Sequence, residues 1–357
     1  MTMRAEGAPS APARAAGYRR LAAGPLSFRF RPRSAAIAAA LAVALACAGL
    51  FALASGSLPM TLSQVLTALA RSGAGAEAAH VVGEIRLPRV IMAILAGAAL
   101  GLSGAAMQAL TRNGLADPGL VGVKEGASVA VLALILAFPA VDAAWRPPVG
   151  MTGGLAVALA VTALARDLSG VRFVLVGIGV SWLLAAGLLV FITTADINDV
   201  ETALVWLAGS LHAADWALIP ALAFWSGLGA LVLIATSRGA DAALLGDGVA
   251  RSLGVRLRTM KALGLAAPVL MTAAAVSCVG SLGFVGLMAP HMARFLVGGG
   301  QAAVLTASAL LGAVLVLAAD TAGRLLFAPL QIPAGVVMTL AGVPVFLLLL
   351  WQRRDQL

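Results

Sequence analysis

From residue 34 to residue 351 the chain is a succession of apolar runs divided by short polar links. A bilayer core is about 30 Å thick and an α-helix rises about 1.5 Å per residue, so roughly 20 apolar residues make one crossing. Ten runs can be read: 34–54, 88–110, 118–138, 149–166, 171–194, 216–236, 262–280, 283–297, 303–320 and 334–351. In hydrocarbon each backbone N–H and C=O needs a partner within the protein, which runs of this length satisfy as helices. The predicted fold is all-α: a polytopic membrane protein with about ten transmembrane helices. Its composition agrees, since 61% of residues are hydrophobic and only 11% charged, against roughly 25% charge in a typical soluble domain. The eighth run is short, and 277–283 before it reads as a turn or an unwound segment.

Orientation follows from the placement of the 24 Lys and Arg residues. With the N-terminus inside, the outer side holds only Arg71, Arg86, Arg89, Arg146 and Arg324, and Lys124 falls within a span. The inward excess predicts both termini in the cytoplasm, in keeping with an even number of spans. It also accounts for the formal net charge of +9 without nucleic acid as a partner. Residues 1–33, rich in Ala, Pro and Arg, read as a flexible cytoplasmic tail, and 34–354 as the membrane domain. The first run exceeds the ~7–15 residues of a signal-peptide core, which favours an uncleaved first span. Cys47 and Cys278 lie in apolar runs without metal-ligand spacing and read as ordinary buried thiols.

One polar island interrupts the pattern. Residues 238–261 read RGADAALLGDGVARSLGVRLRTMK, with five Lys and Arg and with Leu244, Leu245, Val249 and Leu253 at helical spacing. Such a segment reads as short amphipathic helices at the cytoplasmic surface, a handle for another protein. The segments 55–84 and 195–215 are the long outer links, with helical periodicity in 62–71 and with Trp206 and Trp216 as interface anchors. The pattern of Gly97 and Gly101 predicts close helix packing. A weak duplication of the second to fifth runs by the seventh to tenth fits many transporters.

Nucleotide hydrolysis is missing from the chain. Its two lysines, Lys124 and Lys261, follow Val123 and Met260, so no phosphate-binding G-x-x-x-x-G-K-[ST] loop can be written. Gly101-Leu102-Ser103-Gly104 matches the pattern around the serine of rhomboid-type intramembrane proteases, with His291 as a candidate base; the alternative reading of Ser103 is helix packing. The stretch after His80 lacks a second histidine for zinc, and no metal site is predicted. Lys124 and Glu125 sit a turn or two from the inner face, and two readings stay open: a local ion pair that snorkels, or an electrostatic element of a pathway. An ion-coupled carrier would call for deeper carboxylates than Asp320, at a span end, or Asp196 and Asp199, in a loop. Arg86, Arg89 and Arg324 lie on the outer side against the bias, as rim charges that steer an acidic partner or as anchors to lipid phosphates.

Several stretches, in order, resemble the permease family of bacterial type II ABC importers for ferric siderophores, haem and vitamin B12. They are IRLPR at 85–89, GAALGLSGAAMQ at 97–108, RNGLADPGLVGV at 112–123, WLAGSL at 206–211, and LG at 245–246 followed by ARSLGV at 250–255. Next come GFVGLMAPHMAR at 283–294, IPAGVV at 332–337 and GVPVF at 342–346. Together they span almost all of 34–354. The resemblance implies ten helices per subunit, a second permease copy as homodimer or paralogous heterodimer, and two cytoplasmic ATPase subunits that bind ATP and Mg. It also implies a periplasmic substrate-binding protein and an inner-membrane location. By the same resemblance the island is the ATPase-coupling element, with Leu244, Leu245, Gly246, Ala250, Leu253 and Gly254. Arg86, Arg89 and Arg324 match positions that dock the binding protein, and Leu168, Ser169 and Gly170 match the cytoplasmic gate. The fifth span lines the pathway, and His291 is structural. Residues 205–211 look more like the ferric-siderophore members, so the implied function is import of an iron(III)-siderophore complex by alternating access. The chain departs from the pattern at Gly114, where the family has proline, and at Lys124-Glu125, which replace small polar residues.

Overall fold

In a computed structural model of the protein, residues 19–23, 26–56, 58–70, 75–166 and 171–352 are described. The helix Leu87–Thr111 organises the rest. Its face 96–108 is buried almost without interruption, because the small residues GAALGLSGAA let neighbouring backbones close in. A side chain at Gly97 would collide with the backbone of Gly312, and one at Gly101 with the backbone of Ser308. Lipid tails are as apolar as leucine, so helices in a bilayer associate through such close van der Waals contact rather than through a hydrophobic drive. The expected packing role of Gly97 and Gly101 is thus realised against the helix Gln301–Leu325.

In chain order the helices are α1 (Pro32–Ala54), α2 (Leu62–Leu69), α3 (Ala76–His80), α4 (Leu87–Thr111), α5 (Val123–Ala137), α6 (Arg146–Ala165) and α7 (Val171–Thr194). They continue with α8 (Ile197–Leu207), α9 (Ile219–Leu244), α10 (Asp247–Ser252), α11 (Leu257–Val279), α12 (Val285–Leu296), α13 (Gln301–Leu325) and α14 (Ala334–Gln352). Within the segment expected to be a tail, Arg19–Ala23 and Leu26–Phe30 pair as two antiparallel strands, Arg19 opposite Phe30. Among the described residues, seven helical segments are long and apolar enough to cross a membrane, built on α1, α4, α6, α7, α9, α11 and α13. The other three predicted spans correspond to shorter helices, α5, α12 and the apolar part of α14.

Two interruptions distinguish this bundle from a set of straight crossings. The span expected at 118–138 opens instead with a tight 3-10 turn, Pro118–Val121, and α5 begins only after Gly122, whose φ is +78°. The expected break at 277–283 is present: α11 stops at Val279, and α12 starts at Val285 after the left-handed Phe284. Among the seven crossing candidates, the segment on α7 is the least covered by the rest of the chain. Cys278 is buried as expected, whereas Cys47 is exposed on α1, whose apolar surface is mostly outward-facing.

Candidate functional site

Three groups of chemistry-bearing residues can be followed along the bundle: an arginine cluster at the end opposite the island, a cleft beside α5 and α7, and the island itself.

The arginine cluster is built by a helical irregularity. Between α3 and α4 the chain makes a π-helical turn, Val81–Arg86, in which the Leu87 N–H reaches back five residues to Val82 O. Pro88 has no N–H to continue this ladder, and the Trp216 indole donates to Gly83 O at 3.1 Å. The wider turn sends Arg86 inward. It is only 5% exposed and donates to Leu53 O (2.7 Å) and Leu58 O (2.5 Å) at the end of α1. Arg89 grips Asp320 through Nε and Nη2, the latter at 2.9 Å, and reaches Gln331 Oε1 with Nη1 at 3.1 Å. Arg324 lies 3.3 Å from the same carboxylate and donates to Ser55 O and Ala52 O. These guanidiniums, expected as rim charges, are largely buried and tie α1, α4 and α13 together. Two of them, Arg89 and Arg324, hold one carboxylate, and with Arg86 the cluster keeps an excess of positive charge just below this surface.

The cleft lies beside α5 and the C-terminal half of α7, next to the first interruption. Ser181, near the middle of α7, donates to Gly119 O at 3.5 Å, so the 3-10 turn sits at half the height of that helix. Non-helical backbone is tolerated at such depth only where protein buries it or a cavity meets it, and Asp117, Pro118, Gly119 and Gly122 are indeed buried. Asp117 packs against Gly286 at the start of α12 and takes Lys124 Nζ at 3.2 Å. The shallow placement of Lys124 and Glu125 and their mutual ion pair are corrected by the fold. Lys124 pairs with Asp117 instead, and Glu125 borders the same cavity as Ala185 on α7, beyond that helix's midpoint. A chain that re-enters from Arg112 to Gly122 starts its helix deep, which a hydropathy window cannot register. Glu125, Ser128, Leu188, Ile192, Leu207 and Ser281 border a cavity of about 410 Å³. Ser281 comes from the α11–α12 break, so that break and α5 border one space.

In the island, α9 ends at Leu244, and α10 is a single short helix held between Gly246 (φ +116°) and Gly254 (φ +79°). Both glycines face open space; their requirement is the left-handed backbone, which side chains resist. Leu245 and Leu253 are 71% and 65% exposed, with Leu244 and Val249 also outward. Ala250 was expected on the contact surface, yet it is fully buried and packs with Ala243 and Leu257 beneath the loop. Arg112, itself left-handed at the end of α4, donates to Ala243 O (2.6 Å) and to Asp247, which also accepts from Lys261 at 2.9 Å. These bonds hold the Asp247 carboxyl below its ordinary value of 3.8, Lys261 having the larger effect. Arg112, Asp247 and Lys261 therefore brace the island from within, while Leu245 and Leu253 stand on its surface beside the exposed Arg251, Arg256 and Arg258.

The protease alternative finds no support in the geometry. Ser103 is fully buried and donates to Pro268 O at 3.3 Å, while His291 meets Phe295 and Phe346 edge-on. Leu168, Ser169 and Gly170 lie outside the described residues. No group of three or more His, Cys, Asp or Glu suited to a metal ion occurs among the described residues. Asp320, Asp117 and Ser128 were missed as site residues. Asp117 stands within the LADPG stretch already singled out and Asp320 at a span end, but neither one's partner is adjacent in sequence.

The model of the FecCD transport family matches residues 40–352. The chain belongs to this family. The iron-uptake system permease protein FeuC of Bacillus subtilis is 37% identical over 314 residues, covering 85% of this chain and 94% of FeuC. The achromobactin transport system permease protein CbrC of Dickeya dadantii is 39% identical over 306 residues, covering 85% and 87%. A solved structure described as an inward-facing metal-chelate type ABC transporter is similar with a TM-score of 0.79 at 25% identity, covering 89% of this chain and 99% of that one. This FecCD chain is thus a multi-pass permease rather than an enzyme. The family match takes in the arginine cluster, the cleft and the island alike.

Proposed function

We propose that this FecCD permease is the membrane subunit of an ATP-driven importer that carries iron(III)-siderophore complexes across the inner membrane by alternating access. The observation that carries the reading is the cleft: a space beside the C-terminal half of α7, bordered by α5 and by Ser281 of the α11–α12 break, and open along the least covered candidate span. Transporters place cargo where helices break near the midplane, because freed backbone and half-helix ends can meet a polar solute there. The two relatives named above support iron chelates as cargo.

In this reading the chain crosses the membrane ten times with both termini in the cytoplasm, and a second permease copy completes the pathway across α7. Two ATPase subunits, which bind ATP and Mg, seat on Leu244, Leu245, Val249 and Leu253. A substrate-binding protein docks over the excess positive charge of Arg86, Arg89 and Arg324, and residues 168–170 gate the cytoplasmic exit. The binding protein supplies affinity, so the cleft needs only weak contacts with its cargo.

The test is reconstitution of the permease with its ATPase and binding protein in proteoliposomes, followed by uptake of radio-iron as siderophore complexes. ATP-dependent accumulation is expected. Uptake that collapses with the proton gradient while ATP persists would instead show an ion-coupled carrier, and parallel assays with haem and cobalamin decide the cargo.

A further inference from the structure

The cleft holds polar atoms that the fold leaves unused. Glu125 Oε2 and Ser128 Oγ are buried, and neither has a hydrogen-bond partner. Ser128 is 1% exposed and lies one helical turn beyond Glu125, and both border the cavity. A carboxylate in this position is ordinarily neutralised by a nearby cation. The adjacent cation, Lys124, is already held by Asp117 at 3.2 Å, which makes that pair neutral. Glu125 therefore presents acceptor capacity to the cavity, while the rest of the border is apolar apart from Ser128 and Ser281. Glu125 lies in the first turn of α5, where a carboxylate suits the positive helix end, yet its Oε2 is left without a partner.

We propose that Glu125 and Ser128 form a polar station in the transport cleft that favours iron(III) chelates carrying an ammonium or similar donor group and disfavours polyanionic ones. The station rests on the import function proposed above and adds to it a charge class of cargo. A passing ammonium donates to Glu125, and Ser128 supplies a second contact one turn further along α5. A chelate whose surface is made of catecholate oxygens meets a like charge instead, which is the usual device for rejecting the wrong ligand.

The experiment uses the purified permease–ATPase complex and three probes: a ferric trihydroxamate with a free ammonium, the same chelate with that ammonium acetylated, and a ferric tris-catecholate. Binding is read from a fluorophore placed at Ile192→Cys. The ammonium probe is expected to bind about tenfold more tightly than its acetylated form, the scale of one charge-assisted hydrogen bond, and the tris-catecholate more weakly still. Glu125→Gln should erase the difference between the first two probes, Glu125→Asp should keep part of it, and Ser128→Ala should weaken both by roughly threefold. Equal binding of the first two probes to the native complex overturns the station, as does a Glu125→Gln variant that assembles normally and keeps the preference. ATP-driven uptake of iron chelates with no charge preference overturns the station and leaves the import reading standing. Absence of ATP-driven uptake for every chelate removes the import reading and the station with it.

Discussion

The two ends of the bundle use charge in opposite ways. At one end Arg86, Arg89 and Arg324 are sunk into the fold: Arg86 and Arg324 donate to carbonyls in and just after α1, and Arg89 and Arg324 share Asp320. At the other, Arg112, Asp247 and Lys261 brace a loop from within while Leu245 and Leu253 stand bare. Both segments attract attention in the sequence because of their basic residues. In the structure Arg86, Arg112 and Arg324 hold backbone in place and Lys261 braces Asp247, whereas Arg251, Arg256 and Arg258 stand exposed beside the bare leucines. A guanidinium has five donors, and beside a helix end it meets carbonyls that have lost their helical partners. An exposed leucine has no such internal use, and a bare apolar patch marks an interaction surface.

The sharpest way to break this comparison is at the buried carboxylate. Asp320→Asn leaves Arg89 and Arg324 without their countercharge and should destabilise the protein by about 3–5 kcal/mol, as loss of one partner of a buried pair does. Thermal unfolding of the purified permease in detergent measures it. Arg86→Ala should follow at about 2–4 kcal/mol, since Leu53 O and Leu58 O lose charged donors. If Arg86→Ala and Arg324→Ala left the unfolding temperature intact yet removed binding-protein stimulation of ATP hydrolysis, the arginines would be docking groups alone, and the contrast between the ends would fail.

The island should respond in the reverse sense. Leu245→Ser with Leu253→Ser should change permease stability by less than about 0.5 kcal/mol, as exposed substitutions do. The same pair should cut co-purification of the ATPase subunits at least tenfold, because a leucine buried at an interface contributes about 1.5–3 kcal/mol. Retained co-purification would remove the coupling surface from this loop. Gly254→Ala forces a side chain into left-handed backbone, at a cost of about 1–2 kcal/mol, and should loosen α10 locally while sparing the membrane helices.

The smallest effect is acid sensitivity of the island. The folded-state pKa of Asp247 is depressed by Lys261 and Arg112. Its contribution is therefore complete above the unfolded value of about 3.9 and is lost as pH falls through the folded one. A spin label at Ser252→Cys should become more mobile below about pH 4. In Asp247→Asn it should already be mobile at neutral pH and change little on acidification. A wild-type label equally mobile at both pH values would show that these ion pairs do not brace the loop.

How much could be read before folding differs from residue to residue. Ten apolar runs predict where the long helices lie, and the break after Val279 is signalled by the small residues that follow. Gly97 and Gly101 announce a close helix crossing, though not that α13 is the partner. The start of α5 was misplaced because Pro118–Val121 is apolar enough to pass for helix while its backbone turns. That displacement also put Glu125 near a membrane face in the sequence reading, whereas the fold sets it in the cleft. Ala250 shows the same limit on a smaller scale, since exposure on a six-residue helix depends on what lies beneath it.

Sequence by itself determined that this chain belongs in a bilayer, that it carries no phosphate-binding loop and that its motifs run in the order of one family of permeases. Each of these is a property of consecutive residues, or of their order, and survives without knowing any contact. Only the tertiary structure decided that Arg89 meets Asp320, 231 positions away, that Lys124 turns to Asp117 rather than to Glu125, and that Glu125 is left facing an open cleft. In a medium that offers no water, a buried charge is settled by whichever partner the neighbouring helices bring to it. Which helices are neighbours is not written in the hydropathy of any one of them.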